Sequence, residues 1–155
     1  MFNPLLDTSS LPRFDEIQPE HVVPAIRKVI EDNRAQLDDL LSSDTAHNID
    51  ALVAPVERMD HELGRVWSPV SHLQSVLGSK DWREAYKEAL PLLTEYGTEI
   101  SQNVHLQRAY ATVSANLPAD ASEDSRSAVD HALRDFHLAG VDLEESAKKR
   151  FKAIM

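Results

Sequence analysis

A chain of 155 residues with 26 acidic and 16 basic side chains has a formal charge of −10, a field that repels phosphate backbones and anionic lipid headgroups; neither nucleic acid nor a membrane is an expected partner. With no cysteine, disulfides, thiolate nucleophiles and cysteine-rich zinc sites are excluded, and the composition fits a reducing cytosol. The opening MFNPLLDTSSLPRFDEI lacks the basic and apolar regions of a signal peptide, and no apolar run spans a bilayer, so the expectation is a cytoplasmic protein.

Only four glycines occur, and apolar residues recur every three or four positions, the spacing of helices. An all-α fold follows: an antiparallel bundle of five or six helices over 18–155, several kinked at proline, behind an extended lead-in over 1–17 that contains Pro4 and Pro12. The first helix starts near Pro19, whose missing N–H has no intrahelical partner in a first turn. Its stripe is Val22, Val23, Ile26, Val29, Ile30, Leu37, Leu40 and Leu41, with Pro24 resetting the first turn. A polar loop covers Ser42 to Asn48. The next stripe runs from Ile49 through Leu52, Val56, Met59, Leu63, Val66, Trp67, Val70 and Leu73 to Leu77, and Pro55 and Pro69 predict a bent or interrupted helix.

Gly78 and Ser79 form a stop, and a third helix from about Asp81 turns Trp82, Ala85, Tyr86, Leu90, Leu93, Tyr96 and Ile100 inward, with Pro91 as another kink. Helices over Val104 to Ala115 and Glu123 to Leu138 follow, separated by Asn116, Leu117 and Pro118, and Gly140 suits a left-handed cap. A last helix from Asp142 or Leu143 carries Leu143, Ala147, Phe151 and Ile154 on one face, and no stop signal follows it.

Certain stretches are too particular for generic helix: NPLL at Asn3 to Leu6, QPEHVVPAI at Gln18 to Ile26, LGRVWSPVSHLQSV and REAYKEALPLLTEY within Leu63 to Tyr96, and ALRDFHLAGVDL at Ala132 to Leu143. In this order, nearly without gaps, they resemble the amino-terminal helical portion of the thimet oligopeptidase family of zinc metallopeptidases. The resemblance implies a cytosolic parent that hydrolyses short peptides in a deep channel too narrow for folded proteins. This portion belongs to the helical lobe that walls the channel. Zinc belongs to the full-length parent, bound through an HExxH motif far downstream of the aligned region; the glutamate serves as general base for attack of water on the scissile carbonyl. The implied partners are the catalytic portion of the same polypeptide and short peptide substrates. The last helix resembles the opening of a longer one, so truncation within it is expected, and a freed fragment would expose surface able to self-associate. The competing reading is a standalone helical module that binds a peptide or partner helix in a groove.

No catalytic, cofactor-binding or metal-binding residue is assigned within 1–155. HExxH works because residues i and i+4 share a helix face and reach one metal. Here His61-Glu62-Leu63-Gly64-Arg65 puts a cation at the second ligand position, where it repels a metal instead of binding it. His131 and Asp135, one turn apart with His137 close behind, are read as structural pairing. His21, His47, His72 and His105 are read as packing or surface positions. Ser68, Ser71 and Ser75 have no nucleophile elbow or identifiable base and instead suit helix interruptions or caps around Pro69. The pairs Asp38–Asp39 and Glu144–Glu145 diverge by about 100° on a helix and remain solvated charge. Lys148, Lys149 and Arg150 complement the last helix's dipole. Trp67, Trp82, Tyr86, Tyr96 and Tyr110 are read as core, with a peptide channel lining as the alternative.

Overall fold

The computed structural model describes residues 2–7, 11–42 and 48–154, with the side chains of 145 and 152–154 left out. Six α-helices and no strand occur among the described residues: α1 (Pro19–Ser42), α2 (Ala54–Leu77), α3 (Lys80–Ser101), α4 (Val104–Ala115), α5 (Glu123–Leu138) and α6 (Glu145–Ile154). The all-α expectation is met. The chain divides into two compact units, one of Met1–Gln36 with Arg58–Glu95 and the other of Leu37–Glu57 with Tyr96–Met155.

In the first unit the lead-in is not uniformly extended. Pro4–Leu6 form one 3₁₀ turn, begun by Asn3, whose Oδ1 accepts the Leu5 N–H at 3.0 Å. The Asn3 Nδ2 donates to the His21 carbonyl at 2.9 Å, and Leu5 and Ile17 are buried. The short polar side chain thus fixes the start of the chain against the first turn of α1, through a carbonyl of that turn. Arg13 holds the rest of the lead-in by ion pairs at 3.0 Å to Asp7 and Glu16, with its guanidinium over the Phe2 ring. The buried positions of α1 in this unit are Val22, Ala25, Ile26, Val29, Ile30 and Asn33; those of α2 include Met59, Val66, Val70 and Leu73. Trp67 and Tyr86 stack with centroids 4.7 Å apart, joining α2 to α3 through half-buried rings, whereas Trp82 is core.

Proline divides the second stretch at one point only. Asn48 caps a single π-type turn, Ile49–Val53, by accepting the Ala51 N–H at 2.9 Å, and α2 then begins at Ala54. Pro55 thereby lies in the first turn of α2, directly after the π-type turn whose Ile49 carbonyl accepts the Ala54 N–H. Pro24, Pro69 and Pro91 lie inside α1, α2 and α3, which continue through them. Ser71 and Ser75 therefore do not interrupt α2; the Ser75 hydroxyl donates to the Ser71 carbonyl at 2.9 Å. Positions 43–47 of the expected polar loop lie outside the described residues.

The second unit buries Leu37, Leu52, Val53, Tyr96, Leu106, Tyr110, Val113, Val129, Phe136 and Val141. Here α4 packs on α5, and Tyr110 meets the Phe136 ring edge-on at 5.6 Å. Asn103 and Ser122 cap α4 and α5 by accepting the N–H groups of Leu106 and Ser125. The loop before α5 is tied by Arg126, whose guanidinium donates to the carbonyls of Pro118, Ala119 and Ala121. Gly140, at φ +81°, closes α5 as expected: its N–H reaches the His137 carbonyl at 3.0 Å and the Val141 N–H reaches that of Phe136 at 3.1 Å. Gln102 donates to the Ala139 carbonyl at 3.0 Å and satisfies a further free acceptor of that helix end. The turn after Gly140 delays α6 to Glu145, two or three residues later than expected.

Three residues assigned inward are in fact exposed. Leu77 lies at the solvated end of α2, and Leu143 lies in the turn before α6. On α3 the stripe passes through Ala89, fully buried, and leaves Leu90 40% exposed. Neighbouring helical positions differ by about 100°, so one register choice decides which of the two is covered.

Stacking without full burial sets a scale for the aromatic pair. Trp67→Ala is expected to cost about 2 kcal/mol, below the ~3–5 of a fully buried tryptophan, as read from urea denaturation of the two chains.

Candidate functional site

The larger of the described concave features lies wholly in the first unit. It is a groove of about 870 Å³ between the lead-in, with Leu11 and Phe14, and the outer face of α2, with His61, Gly64, Arg65 and His72. The α2 residues recur at helical spacing and so form one strip. Phe14 meets His72 edge-on at 5.5 Å, which fixes one end of the groove. Gly64 leaves a gap in its wall: a Cβ there would have nothing within 4 Å. A smaller cavity of about 190 Å³ is lined by charges of both signs, Arg27, Glu31, Arg34 and Glu95, beside Ile30 and Leu92.

His61 and Glu62 are on neighbouring positions of α2, His61 exposed on the groove wall, and Arg65 follows one turn later on the same strip. A guanidinium offers donors only, so this strip does not fit a zinc ion. Among the described residues no three His, Cys, Asp or Glu side chains are grouped to hold a metal. His131 and Asp135 are not brought together; Asp135 pairs with Arg134 at 3.3 Å, and the His137 Nδ1 lies 2.8 Å from Asp142. All these groups are exposed, so the contacts are weak. Ser68 is exposed on the groove wall and Ser71 half-buried. Asp38, Asp39 and Glu144 are exposed, as are Lys149 and Arg150, while Lys148 is half-buried. His105 is exposed, and His47 lies outside the described residues.

His21 has a role that sequence reading missed. Its Nδ1 accepts the Gln18 N–H at 3.0 Å, so the imidazole caps the start of α1. Its spacing, three residues after Gln18, the residue that precedes α1, was the available signal, but histidine is an uncommon capping residue.

A family model for the neurolysin/thimet oligopeptidase N-terminal domain matches residues 26–148. The chain belongs to the thimet oligopeptidase family. It is similar to oligopeptidase A of Salmonella typhimurium and of Escherichia coli, 41% identical to each over 155 residues, which are 99% of this chain and 23% of those proteins. Identity to oligopeptidase A of Haemophilus influenzae is 39% over 156 residues, again 23% of that protein. The chain therefore spans less than a quarter of the length of the curated relatives it matches. The stretches that carry the family resemblance hold structural junctions: Asn3 and His21 at the start of α1, Trp67 against Tyr86, and Phe136, Gly140 and Val141 at the end of α5. No helix among the described residues is long and apolar enough to cross a membrane.

In the second unit the ionisation of Tyr110 is strongly displaced. The Tyr110 hydroxyl is pushed up to about 12, first by burial and then by the Glu57 carboxylate. Between its ordinary value near 10 and about 12, the folded chain keeps a proton that the unfolded chain releases. Its contribution to stability is full below pH ~10 and is lost as pH rises through that window. Thermal unfolding at pH 9 to 12 is expected to show a fall in Tm that Tyr110→Phe makes shallower; identical slopes would place the alkaline sensitivity elsewhere. At Gly64, inside a helix with space for a methyl group, alanine is expected to raise stability by about 0.5–1 kcal/mol in urea denaturation.

Proposed function

We propose that this chain is the amino-terminal helical domain of an oligopeptidase A-like zinc peptidase that hydrolyses short peptides in the cytoplasm. In this reading the domain contributes channel wall and substrate exclusion but no catalytic group. The collinear similarity carries the proposal: 41% identity across 99% of the chain, without a division into separately matching pieces. Peptide hydrolysis is the parent's reaction in the words of the relatives' own name, oligopeptidase. Zinc would supply polarisation of the scissile carbonyl and activation of water in the parent. Its ligands would come from the catalytic portion of the same polypeptide, the partner proposed for this domain, since Arg65 makes the His61 strip unsuitable. What remains to these residues is shape. Helices capped by Asn103 and Ser122 and closed at Gly140 supply fixed walls, and a rigid wall excludes folded substrates at no cost in catalytic groups.

A chimera tests the proposal. Residues 1–155 replace the aligned segment of Escherichia coli oligopeptidase A, and cleavage of an internally quenched short peptide is measured for the chimera and for the chain alone, each with added zinc. The expected outcome is cleavage by the chimera only, abolished by a chelator. Zinc-dependent cleavage by the 155-residue chain alone, or a folded chimera without activity, would overturn the proposal.

A further inference from the structure

The groove in the first unit combines exposed apolar surface, cationic donors and an open stretch of helix. Leu11 on its lead-in wall is 86% exposed, and Phe14 is exposed as well. Val76, one turn beyond His72 on the α2 strip, is a further large apolar residue in solvent. Apolar side chains left in water at one place mark a surface that another molecule covers.

Charge narrows the choice of that molecule. In a chain of net charge −10, the described side chains lining the groove include Arg65, His61 and His72 against one acid, Asp60. Arg65 already interacts within the chain, and its five N–H donors leave capacity for another acceptor. Each imidazole offers an N–H whether neutral or protonated. The lining is therefore complementary to carboxylates, although the chain as a whole is acidic. A second copy of the chain brings a like charge of −10, and nucleic acid brings phosphates; the field of the chain opposes both.

Gly64 points to a polypeptide. It lies in the interior of α2, where glycine is less favourable than alanine. A Cβ there would meet nothing within 4 Å, so the packing of the chain does not demand the missing side chain. The gap instead allows another backbone to approach the strip closely. At about 1.5 Å per residue the strip from His61 to His72 is about 16 Å long, the reach of about five residues of extended chain. Successive side chains of an extended peptide face opposite sides. Carboxylates on one side then reach Arg65 and the histidines, while apolar side chains on the other meet Leu11 and Phe14.

We propose that the groove between the lead-in and α2 binds an extended acidic peptide of about five residues, in which apolar and carboxylate side chains alternate. Arg65 pairs with a carboxylate of the peptide, and Gly64 admits its backbone. The site rests on the groove and not on the reaction proposed for the parent, so the binding test and the chimera fail independently.

The test uses the 155-residue chain and fluorescein-labelled pentapeptides, with binding read by fluorescence anisotropy. The peptide LELEL should bind saturably, and LQLQL and LKLKL at least about tenfold more weakly. Arg65→Gln should weaken LELEL by about tenfold. Leu11→Ser, at a position too exposed to support the fold, should weaken it about fivefold. Gly64→Gln should abolish binding while the urea midpoint stays or rises, because the position is exposed and glutamine is the better helix former. Absence of saturable LELEL binding, equal binding of LKLKL, or native affinity in a folded Gly64→Gln or Arg65→Gln chain would overturn the proposal. So would a dimer in sedimentation equilibrium that forms in the native chain but not in Gly64→Gln, since the groove would then belong to a second copy.

Discussion

Each long helix of this protein has one apolar stripe and is charged around the rest of its surface, and a stripe of that width can be covered along one side only. This constraint organises the first unit, where Val22, Ile26, Val29 and Ile30 of α1 and Val66, Val70 and Leu73 of α2 are removed from water while the remaining faces stay solvated. Burial of such residues is the dominant favourable term in folding, roughly 25 cal/mol for each Å² of apolar surface. It has no direction, however, so it brings helices together without specifying their register. Directional groups link the elements at fixed points. The Asn33 Nδ2 donates to the Met59 carbonyl between α1 and α2, and the Asn3 Nδ2 donates to the His21 carbonyl between the lead-in and the first turn of α1.

The second unit relies more on how its helices end. Asn48, Asn103 and Ser122 each accept an N–H from a first turn, and Gly140 adopts the left-handed conformation that returns two amide hydrogens to the end of α5. A side chain at Gly140 would be strained by the backbone conformation and would meet Leu143 at 2.6 Å. Helix ends leave backbone groups without partners, and in this unit nearly every such end is answered by a residue close in sequence. Local chemistry therefore accounts for much of where α4 and α5 begin and end. Pro55 lies in the first turn of α2, directly after the π-type turn, whereas Pro69 is held within α2 with its ring buried.

For function, the similarity to the family extends over 99% of the chain. Several residues in the stretches that resemble the family do structural work at junctions, because caps, stacked rings and left-handed turns each require a particular shape. Around His61 the structure adds what a linear motif lacks. The strip faces a groove, but its second ligand position is a guanidinium. The groove itself was not legible in the sequence, since its two walls, Phe14 and His72, are far apart in the chain and meet only in the folded unit.

The sequence by itself determined the helical class, the limits of α4 and α5 and the cap at Gly140, because periodicity, capping side chains and glycine conformation act within a few residues. It also determined the family, through stretches spread over its length. Tertiary structure alone decided that Ala89 and not Leu90 is covered, that Leu77 and Leu143 remain in solvent, that an asparagine occupies the core of α1, and that Asp135 takes Arg134 in place of His131. These outcomes depend on which neighbour faces each position. Periodicity gives the width of an apolar face, whereas the rotation and register of that face are set only when another helix packs against it.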